Sequence, residues 1–273
     1  MSLGLDGRLI LELLLLGSCT GFLAGLLGVG GGMLMVPFMT VILSHRGVES
    51  GAAVKMAIAT SMATILFTSL ASLRAHHRRG AVRWDIVRRM VPGIALGGLI
   101  SGAGVFAVIK GQALALLFAV VVAVSATQLL RGEAPIASRR MPGAWGQAAA
   151  GGGVGFVCGL VGAGGGFLSI PLMVWCNVAI HSAMGTSAAL GFPIALANTA
   201  GYVLAGWSLP QALPGAFGYI YLPALFALGL ASIALAPLGA RAAHALGTLQ
   251  LKRVFAALLY SLAAYMLYKG VAG

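Results

Sequence analysis

The chain has 273 residues, 60% of them hydrophobic and only 8% charged, whereas roughly a quarter of the residues in a soluble domain carry charge. That composition excludes a soluble globular protein and indicates an integral membrane protein. The net charge of +12 would suggest nucleic acid in a soluble chain, but the positive residues lie in loops between apolar runs, where they set membrane topology. No nucleic-acid partner is expected; the bilayer is the first partner.

Several apolar runs reach the ~20 residues that a helix needs to cross hydrocarbon, and no alternating ten-residue pattern argues for a barrel. The expected fold is an all-α polytopic membrane protein. The first run begins close behind Met1, so a cleaved signal peptide has to be weighed. Asp6 beside Arg8, then Glu12, and the membership of Gly17 to Gly25 in a repeat argue against its removal. In chain order the first half carries Leu9 to Leu27, a short segment Met33 to Leu43, Ala52 to Leu73, Val87 to Ile109, and Ala113 to Leu130. The second half repeats the series with Gly146 to Val161, the short Phe167 to Cys176, Ala183 to Ala205, Ala216 to Ala236, and Leu249 to Leu267. The expected division is therefore a first transmembrane repeat 1–130, a polar, proline-bearing cytoplasmic linker 131–145, and a second repeat 146–273. Cys19, Cys158 and Cys176 fall within apolar runs without metal-ligand spacing and read as small packing residues. No metal and no cofactor is expected.

Basic loops stay cytoplasmic. "RAHHRRGAVRWDIVRR", Arg74 to Arg89, has six arginines against Asp85 alone, whereas its counterpart "GWSLPQALP", Gly206 to Pro214, has no charge. The next loop reverses the bias, with Lys110 alone in the first half and Arg241, His244, Lys252 and Arg253 in the second. The halves are thus expected to be two inverted five-segment repeats. Inversion requires an odd number of crossings per half, which makes the short segment a crossing or part of a broken one. The expectation is about ten segments with both termini periplasmic. Eleven helical residues span only about 16 Å of a core of ~30 Å, so a re-entrant hairpin with eight full spans and parallel halves is the rival drawing.

The two short segments follow one phrase. "GLLGVGGGMLMVPFM", Gly25 to Met39, and "GLVGAGGGFLSIPLM", Gly159 to Met173, share nine of fifteen positions at an offset of 134. Non-helical backbone is tolerated at membrane depth only where protein or a water-filled cavity satisfies it. Gly28, Gly30, Gly31 and Gly32, and likewise Gly162, Gly164, Gly165 and Gly166, each precede a short apolar segment. There the free N–H groups and the helix dipole make an anion site. Short segments interrupted by Gly or Pro at matching places in two halves point to a transporter's substrate site. Close helix packing is the plainer reading for Gly17, Gly21 and Gly25 and for Gly151, Gly155 and Gly159, which recur every four residues. A dinucleotide loop is not supported, since no strand context or acidic partner accompanies the glycines.

A second matched phrase, "KMAIATS" from Lys55 and "HSAMGTS" from His181, recurs at an offset of 126. Lys55 and His181 are candidates for holding an anion's charge, and His181 for coupling a proton; alternatively both reach the interface at a segment end. Thr60, Ser61, Thr186, Ser187 and Asn198 are candidate donors to an oxyanion. The competing reading is hydrogen bonding to helix carbonyls or a neighbouring helix.

On these phrases the chain resembles the sulfite and organosulfonate exporter family TauE/SafE, also called TSUP. The likeness rests on the duplicated G-x-G-G-G-x-L-x-x-P, Gly28 to Pro37 and Gly162 to Pro171, and on the "GTS" of Gly185 to Ser187, where the first half has Ala59 in place of Gly185. The resemblance covers nearly the whole chain. It implies outward transport of small sulfur-containing anions, sulfite or short organosulfonates such as sulfoacetate, across a bacterial inner membrane.

The chain is accordingly read as no enzyme but a secondary transporter working by alternating access. No "GxxxxGK[ST]" is present, which leaves an ion gradient, with a proton as the expected coupling ion. A carrier or channel for another small oxyanion is the first alternative, and a membrane-embedded enzyme the second. All five acidic residues, Asp6, Glu12, Glu49, Asp85 and Glu133, lie near segment ends or in loops, which weighs against both an enzyme and a cation carrier. Oligomerisation is left open.

Overall fold

The computed structural model describes residues 7–27, 31–131, 140–209, 214–242 and 248–272. Gly28, Gly30, His244 and most of the linker lie outside the described residues. Among the described residues there are ten helices. In the first half these are α1 (Gly7–Leu27), α2 (Gly32–His45), α3 (Ser50–Arg78), α4 (Trp84–Val108) and α5 (Gly111–Arg131). In the second half they are α6 (Ala144–Val161), α7 (Gly166–Trp175), α8 (Ile180–Gly206), α9 (Leu222–Ala242) and α10 (Thr248–Ala272). Six helices are long and apolar enough to cross a membrane. The chain is an all-α polytopic membrane protein.

The change of offset between the two matched phrases, from 134 to 126, has a simple structural cause. Helix α2 has 14 residues and α7 has 10. The α2–α3 hairpin is therefore one turn longer on each of its arms than the α7–α8 hairpin. Both hairpins close alike: Gly47 and Asn177 adopt positive φ, and Val48 and Val178 return their N–H groups to the carbonyls of Leu43 and Met173.

One expected boundary moves. The apolar run Ala216 to Ala236 predicts a segment that starts at Ala216, but Ala216–Phe217 and Ile220–Tyr221 pair as a short antiparallel hairpin, and α9 begins at Leu222. Gly215 and Gly218 take positive φ, which an apolarity pattern does not register. A second irregularity lies in α4, where Ile100–Val105 forms a π-helical turn.

Glycine governs how the helices meet. Helix α1 packs along α9 and α6 along α4, so the first helix of each half lies on the fourth of the other. A methyl group at Gly21 would lie 2.4 Å from Ser232 Cα, and one at Gly151 would lie 2.3 Å from the Met90 carbonyl. The glycine-every-four faces are thus seams of backbone on backbone, as close packing in lipid requires. Both seams are parallel: Gly17 meets Leu228 and Gly21 meets Ser232, while Gly151 meets Met90 and Gly155 meets Ile94.

The third helices, α3 and α8, cross in the middle and run antiparallel. Lys55 at the start of α3 sits by Phe106, which packs on Tyr202 near the end of α8; further along, Ser69 lies against Gly191. The fifth helices are antiparallel as well, since Thr127 bonds Tyr260 at 2.7 Å and Leu116 meets Gly270.

Two hydrogen bonds tie the halves reciprocally. Tyr221, just ahead of α9, donates its N–H to Thr60 Oγ1 at 3.0 Å, and Arg83, just ahead of α4, donates its N–H to Thr186 Oγ1 at 3.0 Å. Replacing Thr60 by Val keeps the shape and orphans the buried Tyr221 N–H, which should cost about 1–3 kcal/mol. Thr186→Val should cost less, because the Arg83 bond is only part-buried and water can replace it. Unfolding of both variants in detergent would check this order.

Candidate functional site

The two glycine phrases come together where α3 and α8 cross. A methyl group at Gly32, the first residue of α2, would lie 2.6 Å from the Gly162 carbonyl oxygen and 3.2 Å from Ala163 Cα. Ile65 of α3 stands between them, 2.9 Å from that same point and 3.5 Å from the equivalent point on Gly164. A methyl group at Gly191 of α8 would lie 3.7 Å from the Gly164 carbonyl oxygen. The start of α2 therefore abuts the loop that precedes α7.

The loop geometry differs between the halves. Gly162 and Gly165 take φ of 73° and 82°, a left-handed conformation that side chains strain against. Gly31 has φ −68° and needs no such freedom. At each helix start the first internal bonds close on the capping glycine: Leu34 and Met35 donate to Gly31 O, and Leu168 and Ser169 donate to Gly165 O. The N–H groups ahead of them precede the first helical bond, where the positive end of the dipole gathers. Gly31, Gly32, Gly162, Gly165 and Gly166 are buried and Gly164 half-buried.

Of the matched Thr-Ser pairs, the threonines are the acceptors of the two inter-half bonds already described. The serines divide. Ser169 of α7, which the sequence reading passed over, has its hydroxyl 2.9 Å from the Gly165 carbonyl and 2.7 Å from Ser187 Oγ. Ser187 is thereby joined to the glycine loop. Ser61 Oγ is fully buried and has no partner.

Asn198 is fully buried in α8, and its Nδ2 donates to the carbonyls of Gly155 at 3.2 Å and Ile194 at 2.9 Å. What it leaves open is Oδ1, an acceptor. That oxygen packs against Gly159, beside Ser101 Oγ in the π-helical turn, and Tyr202 donates its hydroxyl to the Gly159 carbonyl. Through its bond to the Gly155 carbonyl Asn198 ties α8 to α6. Ser101 and Tyr202 join this cluster without any repeat or motif to mark them in the sequence.

Lys55 and His181 do not converge. Lys55 Nζ donates to the Ala107 carbonyl at 3.0 Å, in the last turn of α4, and stands 5.8 Å and 5.5 Å from the ring centres of Phe106 and Tyr219. His181 is exposed at the other end of the crossed pair, on the side of the arginine-rich loop that reaches Thr186. Among the described residues no three His, Cys, Asp or Glu side chains cluster to hold a metal.

Crossed long helices, with the start of one short helix packed on the glycine loop ahead of the other, are the arrangement expected of a polytopic membrane protein of the transporter class. The pattern of the Sulfite exporter TauE/SafE family matches residues 13–266, and the chain belongs to that family. A protein of Haemophilus influenzae named "Probable membrane transporter protein" is 32% identical over 270 residues, covering 95% of this chain and 98% of that protein. "Probable membrane transporter protein YdhB" of Bacillus subtilis is 28% identical over 206 residues, 73% of this chain and 79% of that protein. No solved structure matches. Family and relatives are described as membrane transporters, not enzymes.

The glycines make separable predictions. A methyl group at Gly164 meets only ordinary contacts, with Ile65 at 3.5 Å and 3.8 Å, whereas one at Gly165 would lie 2.5 Å from Ile194 Cδ1 on a left-handed backbone. Gly164→Ala should keep the melting temperature, and a fall in transport without a fall in stability would mark the bare loop backbone as functional. Gly165→Val should lose both, with the backbone strain alone about 1–3 kcal/mol. Melting curves paired with vesicle transport would separate the two effects.

Proposed function

We propose that the chain exports small sulfur-containing anions, sulfite or short organosulfonates, across a bacterial inner membrane by alternating access. The observation that carries this is the packing of the start of α2 on the glycine loop that precedes α7, with Gly32 against the Gly162 carbonyl. Backbone N–H groups at two helix starts offer donors and positive potential without a fixed charge. That combination suits an anion that must be released in each cycle. The family match supports the substrate class.

The two halves are inverted in this reading. Its support is that helices of like rank, α3 with α8 and α5 with α10, run antiparallel. The arginine-rich loop after α3 then faces the cytoplasm, and Lys55, Ala107 and Tyr219 lie towards the periplasm. The halves meet through 1–130 and 146–273, with 131–145 as the cytoplasmic link and both termini periplasmic. A proton is the proposed coupling ion, with His181 exposed on the cytoplasmic face to exchange it.

Thermal stabilisation of the purified protein by sulfite, thiosulfate, sulfate, sulfoacetate, taurine and chloride at matched ionic strength tests the site. A ligand at a hundred times its Kd stabilises by about 2.7 kcal/mol, so a sulfur-anion-selective rise in melting temperature is expected. A rise common to every anion, or to none, would reject the substrate class. Topology has its own test. With the native cysteines replaced, a single cysteine at Gly80 should be labelled only from the cytoplasm and one at Gly215 only from the periplasm. Labelling of both from one side would reject the inversion.

A further inference from the structure

The two halves offer the anion unequal serines. Ser61 and Ser187 occupy the same place in the phrases offset by 126, yet only Ser187 has a hydroxyl partner, Ser169. At the offset of 134 that aligns the short helices, the residue matching Ser169 is Met35, which is buried in α2 and has only a thioether to offer. The first half therefore has no hydroxyl at the position from which Ser169 engages Ser187.

Ser61 lies on the part of α3 that faces the glycine loops. Ile58 and Ile65 both touch them: a methyl group at Gly162 would be 3.1 Å from Ile58 Cα, and one at Gly32 would be 2.9 Å from Ile65 Cδ1. Ser61 falls between these residues, within about 60° of each around the helix. A buried hydroxyl with no partner is costly and calls for a water, an ion or a ligand; Ser101 and Thr199 also bury one, but Ser61 is the one carried by α3, the helix that touches both glycine phrases. The neighbouring Thr60 faces away, towards Tyr221.

We propose that Ser61 donates its hydroxyl hydrogen to an oxygen of the transported oxyanion, so that the chain holds one anion off-centre, at the serine of the first half. This rests on the reading of the glycine loops as an anion site. Ser187 is a positioning residue: through Ser169 it fixes the Gly165 carbonyl and with it the start of α7.

The test uses the full-length purified protein with sulfite and sulfoacetate as probes, reading Kd by calorimetry and the melting temperature without anion. Ser61→Ala should weaken binding by roughly tenfold or more, as loss of a hydrogen bond to a charged group does. Its anion-free melting temperature should stay unchanged, because no partner is orphaned. Ser61→Thr, which keeps the hydroxyl, should retain binding. Ser187→Ala should lower the anion-free melting temperature and weaken binding less than Ser61→Ala does, and Ser169→Ala should match it in both readings, because both act through the Gly165 carbonyl and not on the anion. Wild-type affinity in Ser61→Ala, or equal losses of affinity in Ser61→Ala and Ser187→Ala, would overturn the proposal. Absence of sulfite and sulfoacetate binding to the unaltered protein would overturn the loop reading itself, and this inference with it.

Discussion

Lipid cannot hydrogen-bond. A helix broken by glycine at membrane depth exposes N–H and carbonyl groups whose burial without partners costs several kcal/mol each (~2–7). Helices α1 and α2, and α6 and α7, are separate elements on either side of the two glycine phrases, and the described glycines of the second phrase are covered from several sides. The Gly162 carbonyl is covered by the start of α2, the Gly164 carbonyl faces α8, and the Gly165 carbonyl receives Leu168, Ser169 and the Ser169 hydroxyl. The cover for the second phrase comes from both halves, including α2 and α3 of the first.

That mutual cover requires backbones to approach closely, which explains the glycine-every-four faces of α1 and α6. Larger side chains there would hold α9 and α4 away and open the centre to lipid. The reciprocal bonds at Thr60 and Thr186 act at the same level, each fixing the entry of the opposite half's fourth helix. The halves are therefore repeats in sequence without being domains in space, since neither buries its own glycine face.

The element order was legible because apolar runs and their polar interruptions are written directly into composition, and the ten segments recur as ten helices among the described residues. The duplicated phrase also marked the two short helices and the residues that meet between them. What composition could not show was backbone geometry. The hairpin at Ala216–Tyr221 is as apolar as a helix, and only the positive φ of Gly215 and Gly218 turns it. The π-helical turn that carries Ser101 leaves no signature either. Side-chain roles were the least legible: Thr60 and Thr186 accept backbone N–H groups, and Asn198 spends its donors on Gly155 and Ile194. A residue type states what a side chain can donate or accept, while its neighbours decide what remains free.

The seams also constrain how such a molecule can move. If one half swung rigidly against the other, the α1–α9 and α4–α6 contacts would separate, and backbone packed on backbone would have to be re-covered. Alternating access by that route would dismantle the closest contacts in the structure. Motion that keeps the seams intact must instead carry α1 with α9 and α4 with α6, each pair taking one helix from each half. The crossed α3 and α8 lie between those pairs, and Gly162 and Gly164 pack on them. Glycine serves two ends here: without a side chain it permits close approach in the seams, and at Gly162 and Gly165 it takes the left-handed turns of the loop.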